Sequence, residues 1–449
     1  MAATVIDSAV LRGLFTTPAI RRVFSDEARI QLYLDVEAAL ARVEARLGII
    51  PEEAAIEIEN KAIVSSIDFD RLRTETEATG SPVLPVIEQL AELCSGDAGQ
   101  YCHWGATTQD ITDTATVLQI RAALDLLEED LKALSSSLTE HVQRYRATLM
   151  PGRTKLQHAV PVTFGFKAAA MLAAIERHLA RLNEIRPRVL VGQFGGAAGT
   201  LAALGPQGLQ VQFLLMGELE LGQPEITWHT HRDRMAEVAC FLGLLTGTLG
   251  KIATDVKLMM QTEVGEVFEP STPGRGGSST MPQKRNPVSC NYILACASMV
   301  RQHVPAMLEA MVEDHERGSG PWETEWIAIP EIFALSAGAL AHTRDMIAGL
   351  VIDERRMRAN LDLTNGMILS ESVMMALAKF VGRDRAHAIV SSICRDAVAQ
   401  DRPLADMLKQ NTEITERIDR ATIDSLMDPA NYLGLAGEMI DRVLSLRST

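Results

Sequence analysis

The sequence predicts an all-α chain of three helical domains built around a central bundle of long helices. Three observations lead to it. Aromatic residues make up only 4% of the 449 residues, whereas Ala, Leu and Met abound, and these lose little rotamer freedom in a helix. Val117, Ile120, Leu124, Leu127, Leu131, Leu134 and Leu138 follow one another at alternating intervals of three and four, an unbroken heptad seam. Further long helical patterns are expected at 161–187, 232–263, 288–313 and 328–350, with Pro or Gly between them rather than within them.

In chain order, residues 26–48 open with an acidic turn, carry apolar positions at helical spacing and stop at Gly48 and Pro51, which predicts one amphipathic helix. Shorter helical pieces broken by Gly80, Pro82 and Pro85 follow, so 1–112 reads as an N-terminal domain. The seam and the long helices make 113–359 a central domain. The seam helix would be roughly 50 Å long, which predicts that part of its stripe packs on another subunit of a homo-oligomer. After Arg358 the segments shorten again, giving a C-terminal helical domain over 360–449.

Composition excludes several functions. A net charge of −15 argues against a nucleic-acid partner, because such partners require a basic face. Six cysteines without a CxxC pair point to a reduced compartment and away from a metal site. Residues 1–29 lack the layout of a signal peptide, and no segment has the roughly 18 uninterrupted apolar residues of a membrane span. A cytoplasmic protein without membrane contact is expected. No phosphate-binding glycine fingerprint follows a strand, so no cofactor is implied.

Three polar, Gly-bearing segments carry chemistry. From His103 to Thr114, residues Thr107, Thr108, Gln109 and Asp110 lead into the seam helix. Hydroxyls and amides at a helix N-terminus can cradle a carboxylate; the same residues can equally be a capping cluster with Thr112 or Asp113 as N-cap. From Gly152 to Thr163, Lys155 and His158 are the titratable candidates, each open to a plain structural reading. The third segment, 271–287, has the order of a catalytic lid. Gly274, Gly276 and Gly277 give freedom to open and close, Pro282 and Pro287 stiffen the far end, and Ser278, Ser279, Lys284 and Asn286 supply hydroxyls, a cation and an amide.

Together these segments resemble the fumarase/aspartase superfamily, whose members share a loop of the form Gly-Ser-Ser-x-Met-Pro-x-Lys-x-Asn-Pro, matched at every fixed position from Gly277 to Pro287. Within it the chain looks most similar to the bacterial 3-carboxy-cis,cis-muconate cycloisomerase group, through Gln193–Gly205, Trp228–Arg234, Thr262–Pro270 and Asp314–Arg317, and to iminodisuccinate epimerase-like members. The resemblance implies a homotetramer with a core of about twenty helices and active sites assembled from three subunits. It also implies proton exchange at a carbon beside a carboxylate of a small polycarboxylate, through an aci-carboxylate dianion that cations and donors must stabilise.

By resemblance Ser278 is the base. Lys284 and Asn286 suit the dianion, Thr107, Thr108, Gln109, His103 and Ser279 a carboxylate, and Arg317 an additional carboxylate. Related lyases have histidine at Lys155 and glutamate at Asn291, an acid-base pair; cycloisomerases of the muconate type have tryptophan in place of that histidine. Lys155 fits neither pattern. Without a carboxylate partner its pKa is expected to fall with desolvation, making it an acid or base opposite Ser278, with His158 and Asn291 beside it. Cycloisomerisation and epimerisation are both open, with a C–N or C–O lyase as the alternative. Adenylosuccinate lyase itself is disfavoured, because the histidine it carries near Ser81 and the arginine near Trp326 are both missing here.

Overall fold

In the computed structural model, which describes residues 3–270, 277, 280–281 and 283–445, the heptad seam lies on one helix of 37 residues, Thr108–Arg144. All seven seam side chains are at most 1% exposed. The expectation that the stripe packs on another subunit is therefore corrected: the chain covers its own seam, and helix length gives no argument for an oligomer. The helix also starts earlier than expected, so Thr112 and Asp113 lie in its second turn. The cause is Asp110, whose Oδ2 accepts the N–H of Thr107 at 3.1 Å, reaching back as the acidic member of a capping box does.

The other long helices are Asp26–Arg46, Phe164–Val189, Asp233–Met259, Val288–Glu309 and Pro321–Ala348, close to where periodicity places them. Prolines fall inside three of them, at Pro187, Pro305 and Pro330, contrary to expectation. An interior proline costs about 3 kcal/mol. Around Pro330 the burial of Ile329, Ile332 and Phe333 outweighs this, since each such side chain contributes about 1.5–3 kcal/mol.

The chain is mostly helical, as expected, with two short antiparallel strand pairs that the sequence does not announce. Leu149–Thr154 pairs antiparallel with Gln157–Thr163, and Val267–Phe268 with Val351–Ile352. In the first hairpin, Val160, Val162 and Thr163 favour extended backbone, and Pro151 and Pro161 discourage helix. Its two-residue turn, Lys155–Leu156, has φ of +49° and +65°, the geometry of a primed turn that normally takes Asn-Gly. The sequence has no such signal there, which is why the hairpin is not anticipated.

The chain divides into two compact units. The first comprises Met1–Leu131, His178–Gly250 and Tyr292–His342; the second, Lys132–Arg177, Lys251–Asn291 and Thr343–Thr449. The first is centred on fully buried side chains such as Leu34, Leu40, Leu90, Phe194 and Phe333. In the second, short C-terminal helices close on a cluster of Val373, Leu377, Ile393, Leu404, Leu408 and Ile423. Helices Asp233–Met259 and Pro321–Ala348 are long and apolar enough to cross a membrane, but their most apolar windows are 61% and 67% buried inside the protein, as core helices of a bundle are.

Candidate active site

The first unit organises its polar segment around two buried carboxylates. Asp110, fully buried, accepts backbone N–H groups from Thr107, Gly195 and Gly196 at 3.1, 2.9 and 2.8 Å. Its Oδ1 lies 2.8 Å from Nε2 of His229. The approach requires glycine: a Cβ on Gly195 would come within 2.2 Å of the Thr227 methyl, and Gly196 has φ +73°. One turn on, Asp113 accepts Arg232 at 2.8 and 3.0 Å and the Trp322 indole at 3.0 Å. Arg232, 1% exposed, also donates to Glu325 at 2.9 and 2.5 Å and lies 5.0 Å from the Trp228 ring. Burial pushes the Glu325 carboxyl up, against the opposing pull of Arg232.

Gln109 links this framework to the candidate ligand groups. Its Nε2 donates to the His229 carbonyl at 2.8 Å and to Asp113 at 3.2 Å. Its Oε1 faces Nη1 of Arg317 at 3.5 Å, while Nη2 of Arg317 donates to the Ala197 carbonyl at 2.8 Å. The structure thus brings Gln109 and Arg317 together, although 208 positions separate them. The hydroxyls of the half-buried Thr107 and Thr108 make no hydrogen bond among the described residues. His103 has φ +59°; its Nδ1 lies 2.6 Å from Glu37, which also accepts the His103 N–H at 2.9 Å. Burial opposes the imidazolium, but the Glu37 charge and hydrogen bond prevail and hold His103 above the usual histidine range.

The second unit holds the remaining candidates. Lys155 is exposed at the tip of the hairpin turn. Two positions before it, Arg153 donates to the buried Glu266 at 2.8 and 2.6 Å, and Asn360 adds a third bond at 2.7 Å. His158 pairs across the strands with Arg153. Burial, then the Arg153 charge, lowers its pKa, and its Nδ1 is buried without a hydrogen-bond partner among the described residues.

Ser278 and Ser279 lie outside the described residues. On either side of them, Gly277 and Arg285 form an antiparallel bridge, and the Arg285 guanidinium sits 5.3 Å from the Phe268 ring. Lys284 is exposed, its N–H donating to the Met281 carbonyl at 3.1 Å. The Asn286 carbonyl accepts the Val288 N–H at 3.0 Å. Asn291 is exposed in the first turn of Val288–Glu309. The buried Glu269 caps that helix, accepting the N–H groups of Ser289 and Cys290 at 2.9 Å each.

Sequence reasoning passed over the residues that hold the site: Glu37, Asp113, Arg232, Glu266, Glu269 and Glu325. One signal was available. Runs such as Trp228–Arg234 and Thr262–Pro270 set charges among apolar residues, and a buried charge requires a partner.

A mostly helical chain with a buried ion network beneath a Gln/Arg pair, and a Gly-Ser-Ser segment on another unit, belongs to the class of helical lyase-fold enzymes. It matches the lyase family over residues 13–301 and the adenylosuccinate lyase C-terminal family over 366–443. It is 51% identical to trans-aconitate decarboxylase 1 of Mycosarcoma maydis, covering 99% of this chain and 90% of that one. It is 47% identical to the 3-carboxy-cis,cis-muconate cycloisomerase of Pseudomonas aeruginosa, covering 96% and 95%. A solved structure of a fumarate lyase from Mesorhizobium sp. BNC1 superposes with a TM-score of 0.91 at 49% identity, over 96% of this chain and 98% of that one. The chain is an enzyme of the fumarase/aspartase superfamily and is similar to its 3-carboxy-cis,cis-muconate cycloisomerase group.

Proposed function

We propose that this enzyme is an isomerase that exchanges a proton α to a carboxylate of a small polycarboxylate, either closing a carboxymuconate-like tricarboxylate to a lactone or epimerising an N-linked dicarboxylate such as iminodisuccinate. The observation that carries the reading is Arg317, held by the buried Gln109 and the Ala197 carbonyl, with the Thr107 and Thr108 hydroxyls next to Gln109 in the chain: a guanidinium and two hydroxyls suited to a carboxylate. Ser278, activated by Lys284, takes the α-proton, and the released electron pair moves onto the carboxylate, where Lys284 and Asn286 stabilise the dianion. Ser279 and His103 hold the substrate. Lys155 returns a proton from the opposite face, with His158 and Asn291 beside it, and the product is the epimer. For the cycloisomerase, the same carbanion forms when a substrate carboxylate adds to a double bond, and it collects its proton in the same way.

The groups gather in a homotetramer in which neighbouring subunits complete each site. Exposed apolar side chains on the long helices, among them Leu244, Met299, Leu308 and Ile327, support that assembly. A lyase reading is favoured by the 49% identity to a fumarate lyase: the same carbanion can expel an amine or alkoxide. The trans-aconitate decarboxylase relative adds loss of carbon dioxide, which also leaves electrons beside a carboxylate.

Proton NMR in deuterium oxide tests these readings on carboxymuconate, iminodisuccinate, argininosuccinate, adenylosuccinate, fumarate and trans-aconitate. Epimerisation with deuterium at the α-carbon, lost in Ser278→Ala, or lactone formation with deuterium there, lost in Lys155→Met, is the expected result. A new vinyl resonance establishes the lyase instead. Undiminished exchange in Ser278→Ala removes that serine from the mechanism.

A further inference from the structure

The second unit contains a cavity of about 510 Å³ between the hairpin turn and two helices, lined by Arg153, Lys155, Lys167, Lys251 and Asp255 with apolar Leu258 and Met259. Four cations face one carboxylate. Two are already matched: Arg153 by the buried Glu266 and Lys251 by Asp255. Lys155 and Lys167 have no ion pair or hydrogen bond among the described residues; Asp255 and Glu266 act on the Lys167 charge only from beyond contact, so the cavity keeps an excess of positive charge. Lys167 is half-buried on Phe164–Val189. Burial, the largest influence, holds its ammonium below the usual lysine range, so a bound anion would relieve a standing desolvation cost. The turn keeps Lys155 at the cavity rim in a left-handed backbone that a lysine rarely adopts, and strain of this kind concentrates at ligand clamps. The volume is that of a small-ligand site.

We propose that this cavity binds the substrate carboxylate most remote from the reacting carbon, with Lys167 as its ion partner. The inference rests on the reading of Lys155 as an acid-base group facing the substrate. That reading places the reacting carbon at the rim and leaves Lys167 further in, so the cavity selects tricarboxylates, or dicarboxylates with a long spacer, over short dicarboxylates.

Calorimetric titration of the full-length protein with propane-1,2,3-tricarboxylate, succinate and inorganic phosphate tests it. Lys167→Met is expected to weaken the tricarboxylate about tenfold or more, the size of one charge-assisted contact, to leave succinate within about twofold, and to be rescued by Lys167→Arg. If Lys167→Met misfolds by circular dichroism, Lys167→Gln takes its place. Unchanged tricarboxylate affinity in the variant, or no binding to the wild type, overturns the proposal. Phosphate binding as tightly as the tricarboxylate, with the same Lys167 dependence, overturns the carboxylate assignment. Lys167-dependent binding together with an absence of proton exchange on every substrate would sustain the subsite and refute only the isomerase reading.

Discussion

His103 and Glu37 are joined twice, side chain to side chain at 2.6 Å and backbone N–H to carboxylate at 2.9 Å, and this holds His103 in a left-handed conformation. Because the folded pKa of His103 is raised, its contribution is fully present below the unfolded value of about 6.5 and is lost as pH rises through the folded value. Glu37→Gln should therefore cost on the order of 1.5–3 kcal/mol in acid and much less at pH 9. Urea unfolding at the two pH values measures the difference, and a cost independent of pH would contradict the pairing.

Glu44 loses stability in the same direction of pH, but from burial without a partner rather than from a pairing. It is fully buried, neither carboxyl oxygen has a hydrogen-bond partner among the described residues, and burial, reinforced by the Glu37 charge, pushes its pKa up to about 9. A raised value means the favourable contribution is complete below the unfolded pKa of about 4.3 and disappears as pH climbs through 9. Glu44→Gln should thus stabilise the protein by on the order of 3 kcal/mol at pH 7, with no gain below pH 4. Thermal unfolding across that range checks it.

Arg232 neutralises two buried carboxylates. Arg232→Met should destabilise by about 3–5 kcal/mol, the cost of stranding a buried charge, and partial recovery is expected in Arg232→Met combined with Glu325→Gln. Denaturant midpoints of the single and double variants decide it. Equal loss in both would mean the network is not shared.

The Lys155–Leu156 turn separates stability from activity. Leu156 is 76% exposed, so Leu156→Gly gives up little burial and relieves a left-handed side chain that costs about 1–2 kcal/mol. It should raise the unfolding midpoint and, although Leu156 lines the cavity, lower turnover far less than loss of the Lys155 ammonium. Lys155→Gly should be similarly stabilised yet lose turnover. A Lys155→Gly enzyme with full activity would assign the lysine a passive place at the surface.

For Arg317, the contacts with Gln109 and the Ala197 carbonyl are at a half-buried position. Arg317→Lys should raise KM by about tenfold, as expected for loss of a planar fork, and change stability by less than about 1 kcal/mol. Steady-state kinetics beside a melting curve test the two parts separately.

Most of the helical frame is written in local periodicity. The seam from Val117 to Leu138 and the long helices were readable because a 3.6-residue repeat needs no knowledge of partners. The 149–163 hairpin was hidden by a turn whose residues violate its own preference. The early start of the Thr108 helix was hidden because Asp110 caps it while also holding two glycines 85 and 86 positions away. Candidate residues such as Gln109 and Lys155 stood out as polar groups in Gly-bearing segments. Asp113, Arg232 and Glu325 did not, because their meaning lies in a pairing across more than 90 positions.

Asp110 places a carboxylate inside the first turn of the helix, bonded to the Thr107 N–H just before it and to Gly195 and Gly196, so any anion approaching that helix end would meet a negative charge already in place. On the proposed function, attraction for the substrate would come from side chains such as Arg317 rather than from the helix dipole. This separates two tasks: the buried residues fix the frame, while the groups above them could be exchanged without disturbing it. A scaffold arranged in this way is open to new chemistry at little structural risk.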